Sequence, residues 1–324
     1  MLCITNPYTD PYFNMAVEEY ILTEFAEEIF MLWRNEPAVI VGRNQNAHAE
    51  INLEFVKDKE IKLVRRLTGG GAVFHDLGNI NFTFVKNGAD PDFRKFTQPI
   101  IEVLQALGVN ACFEGRNDLT INGKKFSGNA MTISKDRTLE HGTMLFASNM
   151  KDLSNALKPN PLKFEDKAVK STRSRVTNIS EHLQKPLTVL QFRDIIMNFM
   201  LENLSSCRPY AFTVKDVDCI NELKWEKYST REWNFGRSPA YRFAKAVKTA
   251  AGGTVEFHID INGGLIAGIR IFGDFFGYKN IADIENLLEG CPHIEKEIAA
   301  RLSKINLSEY IINATVEELI AGMF

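Results

Sequence analysis

Glycines and charged side chains are concentrated in one stretch of the sequence, residues 65–76. Arg65 and Arg66 come shortly before three consecutive glycines at 69–71. Glycine can adopt positive φ and leaves its backbone N–H groups open to a ligand, and arginine offers forked donors that suit phosphate or carboxylate. Runs of β-forming residues flank the glycines, at 61–67 and 72–74. Since a glycine run weakens a strand, its position between two of them predicts a ligand-binding loop.

This glycine loop does not match the two common phosphate-binding patterns. It lacks the Gly-Lys-Ser/Thr ending of a P-loop, and the residues after it have the pattern of a strand. No Gly-x-Gly spacing opens a helix here, as it would in a dinucleotide-binding fold. A nucleotide could therefore bind at this loop only in a different architecture.

Two lysines follow a predicted hairpin turn further along the chain. Asn122-Gly123 between β-forming segments is a strong hairpin signal, and Lys124 and Lys125 begin the returning strand. Side chains alternate along a strand, so Lys125 and Ser127 should share one face and Lys124 should point to the other. Only one of the two lysines can then reach a pocket on the sheet.

Together these side chains suggest a site for a multiply charged anion. His75, Lys125, His141 and the arginines are cationic or can become so, and a basic segment at 163–178 is predicted to be a mobile loop. Such a set suits a nucleoside triphosphate attacked at phosphorus, because fixed cations and N–H groups stabilise the developing charge. That reaction would also need Mg²⁺ with oxygen ligands. Asp118 is the candidate ligand, and a purely structural role for it in a turn is equally open.

Strands and helices are mixed in the elements predicted around these residues. Asp10-Pro11 marks the start of a helix, and the pattern at 93–107 predicts another. Strands are predicted at 30–33, 38–41, 61–67, 80–85, 109–115 and 139–146. A later hairpin around Asn262 and Gly263, followed by three helices, indicates a second domain.

We therefore expect an α/β (α+β) fold with two domains. Residues 1–244 should form a large domain with mixed or antiparallel sheets and flanking helices. Residues 245–324 should form a small C-terminal α/β domain. A chain of 324 residues is long enough for this division.

Composition restricts the class of protein further. The chain has 38 basic and 41 acidic side chains and a formal net charge of −3. This balance gives no reason to expect nucleic acid or a membrane as a partner. The five cysteines follow no regular spacing, so we expect reduced thiols and no structural zinc. Without a signal-like or membrane-spanning run in the sequence, we expect a soluble, cytoplasmic protein.

Six short motifs follow one another through the first part of the chain. They are Gly42-Arg-Asn-Gln-Asn46, Arg65-Arg-Leu-Thr-Gly-Gly-Gly-Ala-Val-Phe-His-Asp-Leu-Gly-Asn79, Gly115-Arg-Asn-Asp118, Lys125-Phe-Ser-Gly-Asn-Ala130, His141-Gly-Thr143 and Arg173-Ser-Arg-Val-Thr-Asn178. Together they resemble the signature of lipoate–protein ligases, in the biotin/lipoate protein ligase superfamily. The segment 233–239 resembles the join to the accessory domain of the bacterial two-domain type. The resemblance thus covers nearly the whole chain.

The resemblance implies a two-step ligase that uses ATP and Mg²⁺. In the first step the carboxylate of lipoate attacks the α-phosphorus of ATP, which gives lipoyl-AMP and pyrophosphate. In the second step a lysine of a lipoyl-acceptor domain attacks the mixed anhydride and releases AMP. The acceptor would belong to a 2-oxoacid dehydrogenase complex or be the glycine cleavage H protein.

The same resemblance implies roles for individual residues. Lys125 would be the catalytic residue. Nucleotide contacts are expected from Arg66, Gly71, Ala72, Val73, Phe74 and Lys125. Lipoate contacts are expected from Arg65, Gly70, His75, Lys125, His141 and Gly142. A loop that contains Lys170, Arg173 and Arg175 would close over the adenylate and shield it from water. For His75 and His141, a role as hydrogen-bonded core residues is the alternative.

Other classes of protein compete with this interpretation. A transferase that works through a cysteine thioester needs a thiol beside a base, and Cys112, the one cysteine near the motifs, is expected to be a small buried strand residue. A transferase that uses preformed lipoyl-AMP would show the same motifs. Biotin ligases share the presumed fold, but their basic glycine-rich biotin loop is not visible here. A carrier-binding module without catalysis should have lost Lys125 or the glycines, and the chain keeps both.

Overall fold

Strands and helices are interspersed along the whole chain. The computed structural model describes residues 1–45, 47, 51–157, 176–204, 206–235, 244–250, 253–262 and 264–324. The strands in these ranges are β1 (Leu2–Thr5), β2 (Ile29–Trp33), β3 (Ala38–Val41), β4 (Lys62–Arg65), β5 (Val73–His75), β6 (Asn79–Asn87), β7 (Ala111–Glu114), β8 (Asp118–Ile121), β9 (Lys124–Ser134), β10 (Arg137–Leu145), β11 (Arg208–Pro209), β12 (Ala244–Lys248), β13 (Thr254–Asn262) and β14 (Leu265–Gly273). The helices are α1 (Pro11–Thr23), α2 (Leu53–Asp58), α3 (Phe93–Ala106), α4 (Met150–Ala156), α5 (Val189–Asn203), α6 (Val214–Leu223), α7 (Arg231–Phe235), α8 (Ala282–Leu288), α9 (Glu295–Leu302) and α10 (Val316–Met323).

An eight-stranded sheet, in the order β11-β1-β2-β6-β10-β9-β8-β7, forms the centre of the larger part. β1 runs parallel to both of its neighbours, and every other adjacent pair is antiparallel. Side chains alternate between the two faces. Phe82 and Phe84 on β6 therefore pack on α3 and α5, while Val85 lies in the core on the side of α1.

A separate three-stranded sheet presents the glycine loop. β3 lies in its middle, parallel to β4 and antiparallel to β5. β4 ends at Arg65 and β5 begins at Val73, so the loop at 66–72 must cross the end of β3. The loop is thus held at both ends by strands, as the sequence pattern predicts.

The C-terminal part contains the third sheet, in the order β12-β13-β14. Its strands are antiparallel, and α8, α9 and α10 join them around an apolar core of their own. The hairpin predicted around Asn262 is confirmed as the connection from β13 to β14.

The predicted mixed α/β class, with flanking helices, is confirmed. Asp10 caps α1 by accepting a hydrogen bond from the backbone N–H of Tyr12, as its place before Pro11 indicates. α3 ends one residue before Leu107, and Gly108 then takes a φ of 79°, where glycine has no steric penalty. Among the described residues, no helix combines the length and the apolar character that crossing a bilayer requires.

Candidate active site

A cavity of about 930 Å³ opens where the glycine loop meets the ends of β8, β9 and β10. Its walls contain most of the residues that the sequence predicts for the site. These are Arg66, Gly70, Gly71, Ala72, Val73, Phe74, His75, Asp118, Lys125, His141 and Gly142. The structure therefore brings five of the six motifs, or their immediate neighbours, to one place.

Strand register supplies the floor of the cavity. Trp33 on β2 pairs with Asn81, Asn81 pairs with Thr143, Thr143 with Gly128, and Gly128 with Asp118. Directly paired residues point to the same face of a sheet, so these five form a row across five strands. Four of them line the cavity, and Asn81, between Trp33 and Thr143, is buried.

Lys125 reaches the cavity and Lys124 does not. Lys125 Nζ lies 2.7 Å from Asp118 Oδ1, whereas Lys124 is exposed and absent from the cavity wall. A Cβ atom on Gly128 would come within 2.7 Å of Lys125 Nζ, so the glycine leaves the space that the lysine side chain occupies. The prediction that Lys125 and Ser127 share a face is wrong, because a bulge at Phe126 places Lys125 opposite Thr120 and Ser127 opposite Leu119.

Arg66 organises the glycine loop from beneath. Its guanidinium group is buried and donates to Thr68 Oγ1 at 2.9 Å, to the carbonyl of Gly69 at 2.6 Å and to that of Gly71 at 2.9 Å. A further bond to the Ile40 carbonyl ties the loop to β3. Burial lowers the pKa of Arg66 to about 10, so it stays charged at neutral pH.

Arg65 lies away from the cavity, although the sequence led us to expect that it contacts lipoate. It is the last residue of β4, and its buried guanidinium donates to backbone carbonyls away from the cavity. The acceptors are Gly42, Arg43, Gln45, Trp233 and Asn234. The two arginines diverge because successive strand residues point to opposite sides. Arg65 thus fastens the motif at 42–45 and α7 to the small sheet, and we leave it out of the proposed site.

His75 is a neutral residue in this environment and not one of the predicted cations. Burial, reinforced by electrostatic interactions with His141 and Arg66, lowers its pKa to about 3. The Asn35 amide donates to its Nδ1 at 3.1 Å, so the proton resides on Nε2 and is donated to Thr143 Oγ1 at 2.7 Å. Both ring nitrogens have protein partners in this arrangement.

His141 is bonded on both sides of its ring as well. Nδ1 lies 2.8 Å from each carboxylate oxygen of Glu18, and Nε2 lies 2.8 Å from Thr68 Oγ1. Glu18 belongs to none of the six motifs, and sequence analysis missed it. The one signal in the sequence was its place on α1 next to the apolar residue Val17, which brings a carboxylate close to the core. Carboxylates are rarely fully buried unless they are paired.

Gly142 is a packing requirement of this site. A Cβ atom there would overlap Asn129 Oδ1 and come within 2.5 Å of the Phe82 ring. Asn129 also donates through Nδ2 to the Asn117 carbonyl at 2.9 Å, so it holds the turn that carries Asp118. The absence of a side chain at Gly142 therefore lets two strands and a turn approach closely.

Asp118 is the one residue predicted as a metal ligand. It lines the cavity, and among the residues that the structure describes no three His, Cys, Asp or Glu side chains cluster as a metal cage. Mg²⁺ bound together with a nucleotide needs only one or two carboxylates, since phosphates and water fill its other positions. The donor set at Asp118 fits that kind of site.

The C-terminal part contributes a wall that no motif indicated. Asp274 and Phe276, just after β14, line the cavity. The backbone N–H of Gly70 donates to the Phe275 carbonyl at 3.4 Å, and the guanidinium of Arg116 lies 4.8 Å from the centre of the Phe276 ring. The segment 274–276 therefore lies directly on the glycine loop.

Cys112 differs from its prediction as a buried residue. It is exposed because Ala111 and Phe113 on the same strand face the core, while Cys112 and Glu114 point to the other side. Its Sγ lies 3.2 Å from Thr120 Oγ1. It does not line the cavity. The predicted closing loop with Lys170, Arg173 and Arg175 lies outside the described residues. Beyond it, Thr177 donates to the Lys125 carbonyl at 3.0 Å.

Comparison with known proteins identifies the family. The model of the lipoyl protein ligase A/B catalytic domain matches residues 10–200, and that of the bacterial lipoate protein ligase C-terminus matches 238–323. Lipoate–protein ligase 1 of Staphylococcus aureus is 41% identical over 98% of each chain. Lipoate-protein ligase LplJ of Bacillus subtilis is 40% identical over 99% of each chain.

Solved structures agree with these sequence matches. LipL1 of P. falciparum, in complex with lipoate, has a TM-score of 0.80 at 25% identity and covers 99% of this chain and 98% of its own. A bi-partite lipoate protein ligase of Thermoplasma acidophilum, studied with its E2 lipoyl domain, has a TM-score of 0.65 at 33% identity over 75% and 98%. A lipoate-protein ligase A bound with ATP has a TM-score of 0.63 at 30% identity over 73% and 99%. The chain therefore belongs to the family of lipoate–protein ligases.

Proposed function

We propose that this protein activates free lipoate with ATP in the cavity described above and transfers the lipoyl group to a lysine of a lipoyl-acceptor domain. The observation that carries the proposal is the meeting of the glycine loop, Lys125 and Asp118 around one cavity in a chain of this family. Relatives that bind lipoate and ATP support the choice of substrates.

In the first step the lipoate carboxylate attacks the α-phosphorus of ATP and pyrophosphate leaves. Arg66 and the N–H groups of 71–74 hold the nucleotide, and Lys125 neutralises the charge that grows at phosphorus. Lys125 can leave Asp118 readily, because a pair this exposed, with 40% and 37% of the side chains accessible, contributes only about 0–1 kcal/mol. Asp118 would then hold a magnesium ion, which supplies further neutralisation of the phosphates.

In the second step the ε-amine of an acceptor lysine attacks the carbonyl carbon of lipoyl-AMP. The C–O bond to phosphate breaks, AMP leaves, and an amide forms. The lipoyl chain would lie along the apolar part of the wall, which contains Met15, Trp33 and Ile40. Gly70, His75, His141 and Gly142 surround that part in our proposal. We keep Lys170, Arg173 and Arg175 as residues that contact the adenylate.

The accessory domain and the acceptor are further parts of the proposal. We place the domain boundary between 244 and 245, at the start of β12, and the second family match at 238–323 supports a division nearby. The acceptor would be a 2-oxoacid dehydrogenase subunit or an H protein. The archaeal relative studied with its E2 lipoyl domain supports an acceptor of this kind.

Lipoate-dependent pyrophosphate release tests the activation step. The protein is incubated with lipoate, ATP and Mg²⁺ without any acceptor, and pyrophosphate is measured. We expect release under these conditions, and modification of an apo lipoyl domain once it is added. If the protein transfers from synthetic lipoyl-AMP but releases no pyrophosphate, it is a transferase without the activation step. A Cys112→Ser variant that loses transfer would instead indicate a thioester route.

A further inference from the structure

Glu18 is a charged side chain in an apolar environment. Its residue surface is 2% exposed, and it lies on the face of α1 that packs against the large sheet. A buried carboxylate without partners costs several kcal/mol, so Glu18 must be stabilised by groups around it. The partners that it has lead to the glycine loop.

Hydrogen-bond chemistry fixes the proton positions around Glu18. Trp33 Nε1 can only donate, and it donates to Thr83 Oγ1 at 2.8 Å. The hydroxyl of Thr83 is then free to donate to Glu18 Oε1 at 2.6 Å. An ionised carboxylate can only accept, so His141 must carry a proton on Nδ1 and donate it to Glu18.

The same reasoning extends to the other side of the imidazole ring. Arg66 Nε donates to Thr68 Oγ1 at 2.9 Å, which leaves the Thr68 hydroxyl proton available for His141 Nε2. Glu18, His141, Thr68 and Arg66 thus form one chain of hydrogen bonds. Glu18 is also the negative charge that acts on the buried Arg66 guanidinium. Because Arg66 donates to the carbonyls of Gly69 and Gly71, the chain ends in the glycine loop itself.

We propose that Glu18 is a positioning residue for the nucleotide-binding loop. It sets the tautomer and the orientation of His141, which holds Thr68, and it balances the charge of Arg66 beneath the loop. The loop N–H groups then face the ligand before it arrives, so binding does not have to order them. The inference rests on the proposed function, because it takes the ligand of the loop to be ATP.

A Glu18→Gln substitution separates this role from packing. Both carboxylate oxygens lie 2.8 Å from His141 Nδ1, so the amide must place an N–H₂ group near a nitrogen that already carries a proton. The imidazole should respond by moving its proton to Nε2, and Arg66 loses its buried counter-charge. If the correct loop arrangement is then populated about a tenth of the time, the KM for ATP rises about tenfold while kcat changes little.

Glu19→Gln is the matched control. Glu19 neighbours Glu18 on α1, but its carboxylate pairs with Lys227 Nζ at 2.7 Å and Tyr228 Oη at 2.6 Å, away from the cavity. We expect its KM for ATP to stay within about twofold of that of the unmodified protein. Glu18→Asp, which keeps the charge, should recover part of the loss. An equal rise in KM in the Glu18→Gln and Glu19→Gln variants, or no rise in either, would overturn the proposal.

Nitrogen NMR of the histidine rings supplies a readout that needs no turnover, and its first measurement uses the unmodified protein alone. In the unmodified protein, the ¹⁵N shifts of His141 should show a proton on Nδ1 and an acceptor at Nε2. In Glu18→Gln the pattern should reverse. An Nε2–H tautomer in the unmodified protein would refute the proton arrangement. Failure of the proposed ligase activity would appear separately, as absent pyrophosphate release together with the expected NMR pattern.

Discussion

Gly69→Ala should loosen the C-terminal part of the protein from the glycine loop. A Cβ atom at this position would overlap the carbonyl oxygen of Phe275 and lie 3.3 Å from Phe276 Cα. These obstacles are backbone atoms, which cannot rotate away as a side chain could. Gly69 does not have positive φ, so alanine fits the loop conformation itself. The substitution therefore acts on the docking of 274–276 more than on the loop.

The size of the effect follows from the geometry of the overlap. Inserting one methyl group into a well-packed contact typically costs about 1–3 kcal/mol. A cost in this range shifts the equilibrium between docked and undocked segments by roughly five- to 150-fold. Since Asp274 and Phe276 line the cavity, undocking removes one wall. The KM for ATP should rise and the rate of lipoyl-AMP formation should fall, while the free energy of unfolding of the whole protein should change little.

Amide hydrogen exchange measures the docking directly. The Gly70 N–H donates to the Phe275 carbonyl, and the Gly273 N–H donates to the Asn44 carbonyl at 3.0 Å. Both amides join the two parts of the chain, so both should exchange faster in Gly69→Ala, while amides within the β13–β14 ladder should not change. Gly268→Ala on β14 is the control, because a Cβ atom there meets no other atom within 4 Å. Unchanged protection of Gly70 and Gly273 in a folded Gly69→Ala protein would refute the reasoning.

Three other substitutions test separate features. Lys125→Ala should lower lipoyl-AMP formation roughly a hundred- to a thousandfold, as loss of one charge-stabilising donor typically does, whereas the exposed Lys124→Ala should retain most activity in the same pyrophosphate assay. Gly142→Ala should destabilise the protein by about 1–3 kcal/mol, measured by urea unfolding, because the new methyl group meets Asn129 and Phe82. Glu140 is fully buried with no hydrogen-bond partner among the described residues, and burial raises its pKa well above the usual value. The folded state favours the acid form of Glu140, so its contribution to the free energy of unfolding should be at its full value below the unfolded pKa of about 4.3. Above that pH the free energy of unfolding should fall by about 1.4 kcal/mol per pH unit, until the folded pKa is passed. Glu140→Gln should remove that decline in unfolding experiments between pH 5 and 8, and an unchanged slope would show that another group causes it.

The local patterns in the sequence predicted most of the elements and much of the cavity. Hairpin chemistry at Asn122 and strand alternation were enough to separate Lys125 from Lys124. The same alternation indicates that Arg65 and Arg66 point to opposite sides, but the resemblance to the family motif led us to predict ligand contacts for both. Whether Arg65 or Arg66 points into the cavity depends on how β4 packs in the small sheet, which is a feature of the tertiary structure.

Other features of the site depend on contacts between distant parts of the chain. Glu18 lies on a helix far from the motifs, and its role follows from the register that puts His141 above α1. Asp274 and Phe276 reach the cavity only because the C-terminal part docks there. Hydrophobic periodicity and composition are local properties of a segment. They do not show which distant segment packs against it.

The wall formed by Asp274 and Phe276 has a consequence for the protein as it is synthesised. These residues leave the ribosome long after Lys125, the glycine loop and the rest of the cavity. A growing chain can therefore form its central sheet while its site is still open on one side. Contacts between residues so far apart in sequence also form slowly. A shortened chain that lacks this wall would have most of the chemical groups of the site in place, but its cavity would be open to solvent on one side. The cavity is therefore complete only once the C-terminal part has been synthesised and has docked.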